Sequence, residues 1–174
     1  MKSEFFETPR LKLIPTSIED KLFIYNLFNS DGWLKYIGDR GVNSVDDAER
    51  YIRKEMLPQL SQLGFSNYTV IRKIDNLKIG ICGLFKREGL KDIDLGFAFF
   101  PEFGGNGYAF EAASILKNMA FKKFKLEKIV AITLSQNYSS QRLLEKLDFK
   151  FIQLIKLPDD NREWMLYSMY NTKD

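Results

Sequence analysis

Three glycines fall within four positions in Phe103-Gly104-Gly105-Asn106-Gly107-Tyr108-Ala109, between a strand-like run and a helix-like one. Glycine reaches positive φ without steric penalty and carries no side chain to keep a ligand off the backbone. A helix starting at Tyr108 has first-turn amides with no intrahelical partner and a partial positive charge, donors suited to a phosphate or diphosphate group. A plain tight turn also explains such glycines. Ahead of the loop, residues 93–100 read as a strand that Pro101 stops. Beyond it, residues 108–124 put Ala112, Ile115, Leu116, Met119 and Ala120 on one helical face, and residues 129–134 form a buried-looking strand. Strand, glycine loop, helix and strand make a βαβ unit, which requires two parallel strands with the loop at the end of the first.

The remaining segments add antiparallel structure. Residues 11–15 alternate as a short strand, and Thr16 or Ser17 caps a helix over 21–29 carrying Leu22, Tyr25, Leu27 and Phe28. Asp31-Gly32 is read as the end of that helix, and 33–38 as a short apolar piece of undecided type. Ser44 and Asp47 resemble the cap of a second helix through Ala48, Tyr51, Ile52, Met56 and Leu60. Residues 69–72 and 78–85 form a hairpin around Asp75-Asn76, and 93–100 continues the meander. A short helix over 139–147 precedes a closing hairpin of 149–155 and 162–167 around Pro158, Asp159 and Asp160. The expected fold is mixed α/β (α+β), a mostly antiparallel sheet flanked by helices. With 174 residues and neither repeat nor linker, one domain over 1–174 suffices.

Composition excludes several chemistries. The chain has no histidine, which removes Ser-His and Cys-His nucleophile pairs and the usual zinc ligand sets, so no metal site is read. Proton transfer falls to carboxylates, hydroxyls, water or lysine. The lone Cys82, in an apolar stretch, forms no disulfide within the chain and reads as a buried strand thiol. A net charge of +3 with scattered Lys and Arg gives no nucleic-acid footprint. The start lacks a basic-then-apolar leader, and no apolar run reaches membrane-spanning length, so a cytoplasmic protein without a membrane partner is expected. Most of the 15 Phe, 8 Tyr and 2 Trp belong to the core, with some left to line a cleft.

A second motif gives the glycine loop a context. Asn137-Tyr138-Ser139-Ser140-Gln141-Arg142-Leu143-Leu144-Glu145-Lys146-Leu147-Asp148-Phe149 resembles the Asn-x-x-Ser-x-x-Leu-x-x-Lys-x-Gly-Phe motif of the GNAT superfamily of acyl-CoA-dependent N-acetyltransferases. Gly104 to Ala109, followed by Phe110-Glu111-Ala112, is similar to the same family's Arg/Gln-x-x-Gly-x-Gly/Ala loop. Thr8-Pro9-Arg10-Leu11 and Ile37-Gly38-Asp39-Arg40-Gly41-Val42 resemble the branch containing ribosomal-protein N-terminal-alanine acetyltransferases. The resemblance spans nearly the whole chain. It departs at Gly104, where the family usually carries a large residue, and at Asp148, where it usually carries glycine; Asp tolerates the left-handed conformation expected there at a modest cost in stability.

The resemblance implies acetyl-CoA as co-substrate and an amine-bearing small molecule or a protein N-terminus as acceptor. The amine attacks the thioester carbonyl directly, an oxyanion is stabilised, and the thiolate leaves after protonation, with no covalent enzyme intermediate. It assigns Gly104, Gly105, Asn106, Gly107, Tyr108, Ala109 and Phe110 to the pyrophosphate cradle, and Phe97, Ala98, Phe99 and Phe100 to a strand that pairs with the pantetheine arm. A bulge near Gly96 to Ala98 would splay that strand from its parallel neighbour. Asn137 holds the arm, caps the following helix, or both. The helix tyrosine that serves many relatives as general acid is matched by Leu144, which leaves Ser140 as proton donor or helix-cap hydroxyl, with Tyr138 a more distant candidate. Asp94 is the base or a cross-strand ion-pair partner, with Asp92 and Glu102 as substitutes. Trp33, Tyr36, Asp39 and Arg40 fall where relatives line the acceptor cleft, although a core role for Trp33 and a surface salt bridge for Arg40 are equally open. The rival classes are a non-catalytic acyl-CoA sensor and a P-loop nucleotidase, the latter lacking the Lys-Ser/Thr that follows such a loop. Oligomeric state is left open.

Overall fold

Leu11 and Leu13 alternate with Lys12 and Ile14, and this period-two pattern buries both leucines completely in a strand. The computed structural model, which describes residues 4–171, extends the pattern to eight strands. They are β1 (Phe6–Glu7), β2 (Leu11–Pro15), β3 (Asn67–Arg72), β4 (Leu77–Phe85), β5 (Ile93–Phe99), β6 (Lys128–Thr133), β7 (Lys150–Lys156) and β8 (Glu163–Tyr170). One sheet contains them in the order β1-β2-β3-β4-β5-β6-β8-β7. Among the described residues only the β5–β6 pair is parallel. The helices are α1 (Lys21–Phe28), α2 (Asp31–Tyr36), α3 (Val45–Tyr51), α4 (Leu57–Leu63), α5 (Tyr108–Lys122) and α6 (Tyr138–Lys146).

Two apolar layers sandwich the sheet. On one face Ala112, Leu116 and Ala120 of α5 and Leu144 of α6 pack with Leu11, Leu13, Leu84 and Leu95. On the other, Ile24, Leu27, Ala48 and Ile52 pack with Ile81 of β4. Cys82 is fully buried in its strand, and burial pushes its thiol well above the usual range.

Local chemistry moves several expected boundaries. Ser17, not Thr16, caps the first turn: its hydroxyl accepts from Glu19 N–H while Asp20 accepts from Ser17 N–H. Thr16 instead shares a buried hydrogen bond with Thr69 at 3.0 Å. Asp31-Gly32 opens a helix rather than ending one. Asn29 closes α1 by donating its Nδ2 to the Tyr25 and Val42 carbonyls, and the Ser30 hydroxyl then accepts from Trp33 N–H to start α2, which absorbs the undecided 33–38 segment up to Tyr36. The helix through Ala48 and Leu60 is broken into α3 and α4 by a π turn at Ile52–Met56. Strand β1 lacks an expectation from the sequence.

The feature that shapes the site is the short parallel pairing. β5 meets β6 only at Ile93↔Ile129 and Asp94↔Val130, while it follows β4 without interruption from Phe85↔Asp94 to Gly80↔Phe99. β6 likewise follows β8 along its full length. Each strand keeps its antiparallel neighbour, and the parallel pair parts beyond Asp94. The expected splay is present, but the bulge near Gly96 to Ala98 is not, since the β4–β5 register runs straight through it. Phe100 N–H donates to Ile79 O, so alternation directs the backbone groups of Leu95, Phe97 and Phe99 away from β4, to the edge that β6 has left.

Candidate active site

Beyond β5, a 3₁₀ turn at Pro101–Phe103 leads into the glycine loop. Gly104 is extended, whereas Gly105 and Gly107 have φ of 74° and 77°, a region that costs other residues energy. Gly107 is also the N-cap of α5 and offers no side chain to its first turn. The amides of residues 105–110 have no partner among the described residues. This is a cluster of donors at the positive end of a 15-residue helix. A Cβ at Gly104 would sit 3.0 Å from Pro101 O, close enough to disfavour a larger residue without a shift.

The loop is fastened from behind. Arg10 Nη1 donates to Asn106 O at 3.0 Å, its Nε to Glu111 Oε2 at 2.7 Å, and its ring-stacked guanidinium lies 4.6 Å from the Tyr108 centroid. Thr8 Oγ1 and Arg10 N–H both donate to Glu111 Oε1. Burial would raise the Glu111 carboxyl, but these donors outweigh it and hold the group below its ordinary value. The sequence contains both halves of this clamp, yet nothing in their spacing of about a hundred residues reveals that they meet.

Where β5 and β6 part, a cleft of about 760 Å³ opens. Asp94, Phe97 and Ala98 of β5, Ile132 of β6 and Ser140 of α6 line it, so the two proposed proton-transfer residues share one cavity. Asp94 is 1% exposed; Arg87 Nε donates to its Oδ2 at 2.8 Å, and Oδ1 has no partner among the described residues. Burial pushes the Asp94 carboxyl up, against the Arg87 charge and hydrogen bond and a weaker influence from Ile132 N–H. Asp94 thus forms an ion pair, but its partner Arg87 lies in the β4–β5 connection and not on a neighbouring strand as a cross-strand pair requires. Asn137 Oδ1 accepts from Ser140 N–H at 3.2 Å, the expected cap, which leaves its Nδ2 and the Ser140 hydroxyl without partners among the described residues.

Other candidates sort by position. Asp92 pairs with Lys128 at 2.9 Å, and neither it nor Glu102 lines the cleft. Tyr138 is exposed and Leu144 lies in the core. Phe99 packs in the core beneath α5, so it offers an arm site its backbone only; Phe100 lies edge-on against Phe23 and, like Ala98, turns its backbone toward β4, so neither is placed to pair with an arm. Trp33 is both core and cleft: it stacks on Phe28 at 3.9 Å and donates its indole N–H to Gly38 O. Asp39 and Arg40 line the cleft and Tyr36 does not; Arg40 makes no ion pair among the described residues. Leu157 to Asp160 and Arg162 of the β7–β8 turn also line the cleft. Asp160 there accepts from Arg162 and the Trp164 indole, bonds that hold its carboxyl well below the usual range, and Arg162 donates to Ile37 O at 3.0 Å. This lock ties the β7–β8 turn to the α2–α3 loop and left no trace in local sequence pattern.

Among the described residues no helix is long and apolar enough to cross a membrane, and no group of three or more His, Cys, Asp or Glu side chains is placed to hold a metal. Residues 10–150 match the acetyltransferase (GNAT) domain family. The chain is 26% identical over 162 residues to the uncharacterized N-acetyltransferase YnaD of Bacillus subtilis, covering 92% of each. A GNAT-family acetyltransferase from Bacillus anthracis superposes with a TM-score of 0.79 at 24% identity, over 98% of this chain and all of the other. RimL, a ribosomal L7/L12 alpha-N-protein acetyltransferase solved with coenzyme A, superposes with a TM-score of 0.79 at 16% identity, over 96% and 98% of the two chains. Enzymes of this family use acetyl-CoA as co-substrate. With the match covering most of its length and the mixed sheet, splayed parallel pair and glycine-headed helix in place, the chain belongs to the GNAT N-acetyltransferases.

Proposed function

We propose that this chain, as a single domain, moves acetyl from acetyl-CoA to a primary amine by direct attack, at the cleft between β5 and β6. The observation that carries the reading is the conjunction of three features: amides at 105–110 without partners among the described residues, a free β5 edge at Phe97 and Phe99, and a cleft lined by both Asp94 and Ser140. They suit the three parts of the co-substrate in order. The amides of Gly105 to Phe110 hold the diphosphate, with Gly104 contributing backbone only, and within Phe97 to Phe100 the backbone of Phe97 and Phe99, together with the Asn137 Nδ2, holds the amide-bearing arm.

Acetyl-CoA, when bound, supplies an acetyl group activated as a thioester. The residues of the chain do the rest. Asp94 accepts the amine proton at Oδ1, since Oδ2 is occupied by Arg87; its raised carboxyl makes it a stronger base than an exposed aspartate. Ser140 donates its hydroxyl proton to the departing sulfur. The walls formed by Trp33 and by the Asp160–Arg162 lock shape the acceptor side, and an amine-bearing small molecule or a protein N-terminus is the expected acceptor. A cytoplasmic location accords with such a co-substrate.

The test is acetyl-CoA turnover against N-terminal peptides, polyamines and aminoglycosides, paired with Ser140→Ala. One amine class is expected to be acetylated, with kcat for Ser140→Ala lowered at least about 100-fold and KM for acetyl-CoA unchanged. Full turnover in Ser140→Ala removes the acid role; absence of transfer to every amine, with CoA still binding, refutes the proposed reaction.

A further inference from the structure

The cleft lining contains a buried amide that the proposed chemistry leaves idle. Gln59 is fully used, donating to Phe65 O and Leu84 O and accepting from Lys86 N–H. Asp160 is committed to Arg162 and Trp164. Asn67 differs. It is 2% exposed, its Nδ2 reaches only the Met56 sulfur at 3.5 Å, and its Oδ1 is buried without a partner among the described residues. Among the described residues only one other buried side-chain oxygen shares that condition, Asp94 Oδ1, and both residues line the same cleft. A buried acceptor stripped of water and given no donor is a standing cost, which a bound donor removes.

The sheet register relates the two. Asn67 pairs with Gly83, and Gly83 with Gly96, so Asn67 stands two strand spacings, about 10 Å, from Gly96, and Asp94 lies two residues along β5 from Gly96 on the same face. Two adjacent glycines clear the ground between them. A Cβ on Gly83 would lie 2.5 Å from Phe85 Cζ and one on Gly96 2.9 Å from Phe85 Cε2, so the Phe85 ring lies flat over both and lines the cleft. An aromatic floor flanked by two unpartnered acceptors suits an amine better than a neutral apolar group or an anion.

We propose that Asn67 binds the acceptor: its Oδ1 takes a second N–H of the amine substrate, across the Phe85 ring from the reacting nitrogen at Asp94. This rests on the acetyl-transfer reading above and specifies its substrate class, a primary amine with another N–H donor a few bonds away. A peptide N-terminus and a polyamine both qualify, whereas a simple monoamine reacts without this second contact and is the weaker substrate.

Steady-state kinetics of the full chain with acetyl-CoA and three probes, an alanyl peptide, spermidine and butylamine, test it in Asn67→Leu and Asn67→Asp. For whichever of peptide or spermidine the wild type uses, Asn67→Leu is expected to raise KM about 10–100-fold. KM for acetyl-CoA and kcat/KM for butylamine stay at wild-type values, a split that a merely structural defect would not produce. Asn67→Asp keeps the oxygen and retains a near-wild-type KM. Unchanged KM for the two-donor amine in Asn67→Leu, or an equal loss on butylamine, overturns the assignment while leaving acetyl transfer intact. Failure of the wild type on all three probes overturns the proposed function and this assignment with it.

Discussion

Replacing Arg87 with Met is expected to shift the acidic limb of kcat/KM upward by about one to two pH units. Arg87 Nε lies 2.8 Å from Asp94 Oδ2, with the two side chains 28% and 2% exposed. Burial raises the Asp94 carboxyl, and the Arg87 charge and hydrogen bond are the main influences opposing it. A charge-assisted hydrogen bond contributes about 1.5–3 kcal/mol, and one pKa unit corresponds to about 1.4 kcal/mol, which gives the stated shift. Met preserves the apolar stem, so the change is mainly electrostatic. A base must be ionised to act, so a higher carboxyl pKa silences it over a wider acid range and spares the alkaline side. The stability sign is separate. A carboxyl whose native pKa lies above its unfolded value makes stability fall as pH rises between those values, and Arg87→Met widens that window. The variant is therefore expected to lose more stability at neutral pH, up to about 3 kcal/mol, than in mild acid. Release of the CoA thiol can be followed with a thiol-reactive dye, because Cys82 is fully buried and contributes little background. An acidic limb unmoved in Arg87→Met, or preserved in Asp94→Asn, would refute Asp94 as the base.

Two further substitutions probe the loop and the second motif. Gly107→Ala forces a Cβ into φ 77° and to within 3.4 Å of Arg10 Nη2, and is expected to cost about 1–2 kcal/mol in urea unfolding. The same variant should bind CoA more weakly by titration calorimetry, and undiminished affinity would separate the loop from the cofactor. Asp148 adopts φ 70° just after α6, the left-handed conformation expected of the glycine it replaces. Its one ion pair among the described residues, to Lys117, is long at 3.7 Å and exposed on the Asp148 side, so Asp148→Gly is expected to stabilise the chain by about 0.5–1 kcal/mol with turnover unchanged.

Features written within a few residues were legible. Gly105 and Gly107 have the positive φ that glycine anticipates, Asn137 caps α6, and the strand, loop, helix and strand around Tyr108 form the parallel unit their order requires. The misread boundary at Asp31-Gly32 shows where local reasoning stops. Gly after Asp resembles a stop, but Asn29 had already ended α1 by bonding across to Val42, a contact spanning 13 positions.

Chain order and residue type thus determined by themselves the fold class, the loop's backbone conformation and the absence of histidine chemistry, because φ preferences, capping and hydrophobic period are properties of neighbouring residues. Tertiary structure alone decided which side chains share the cleft. The Asp94–Arg87 pair, the Glu111 clamp on the loop, the lock from Arg162 to the Ile37 carbonyl and the unpartnered Asn67 oxygen all depend on strand register and on packing between distant segments. Burial of that kind sets whether a carboxylate is a base, a clamp or a lock, and no local pattern encodes it.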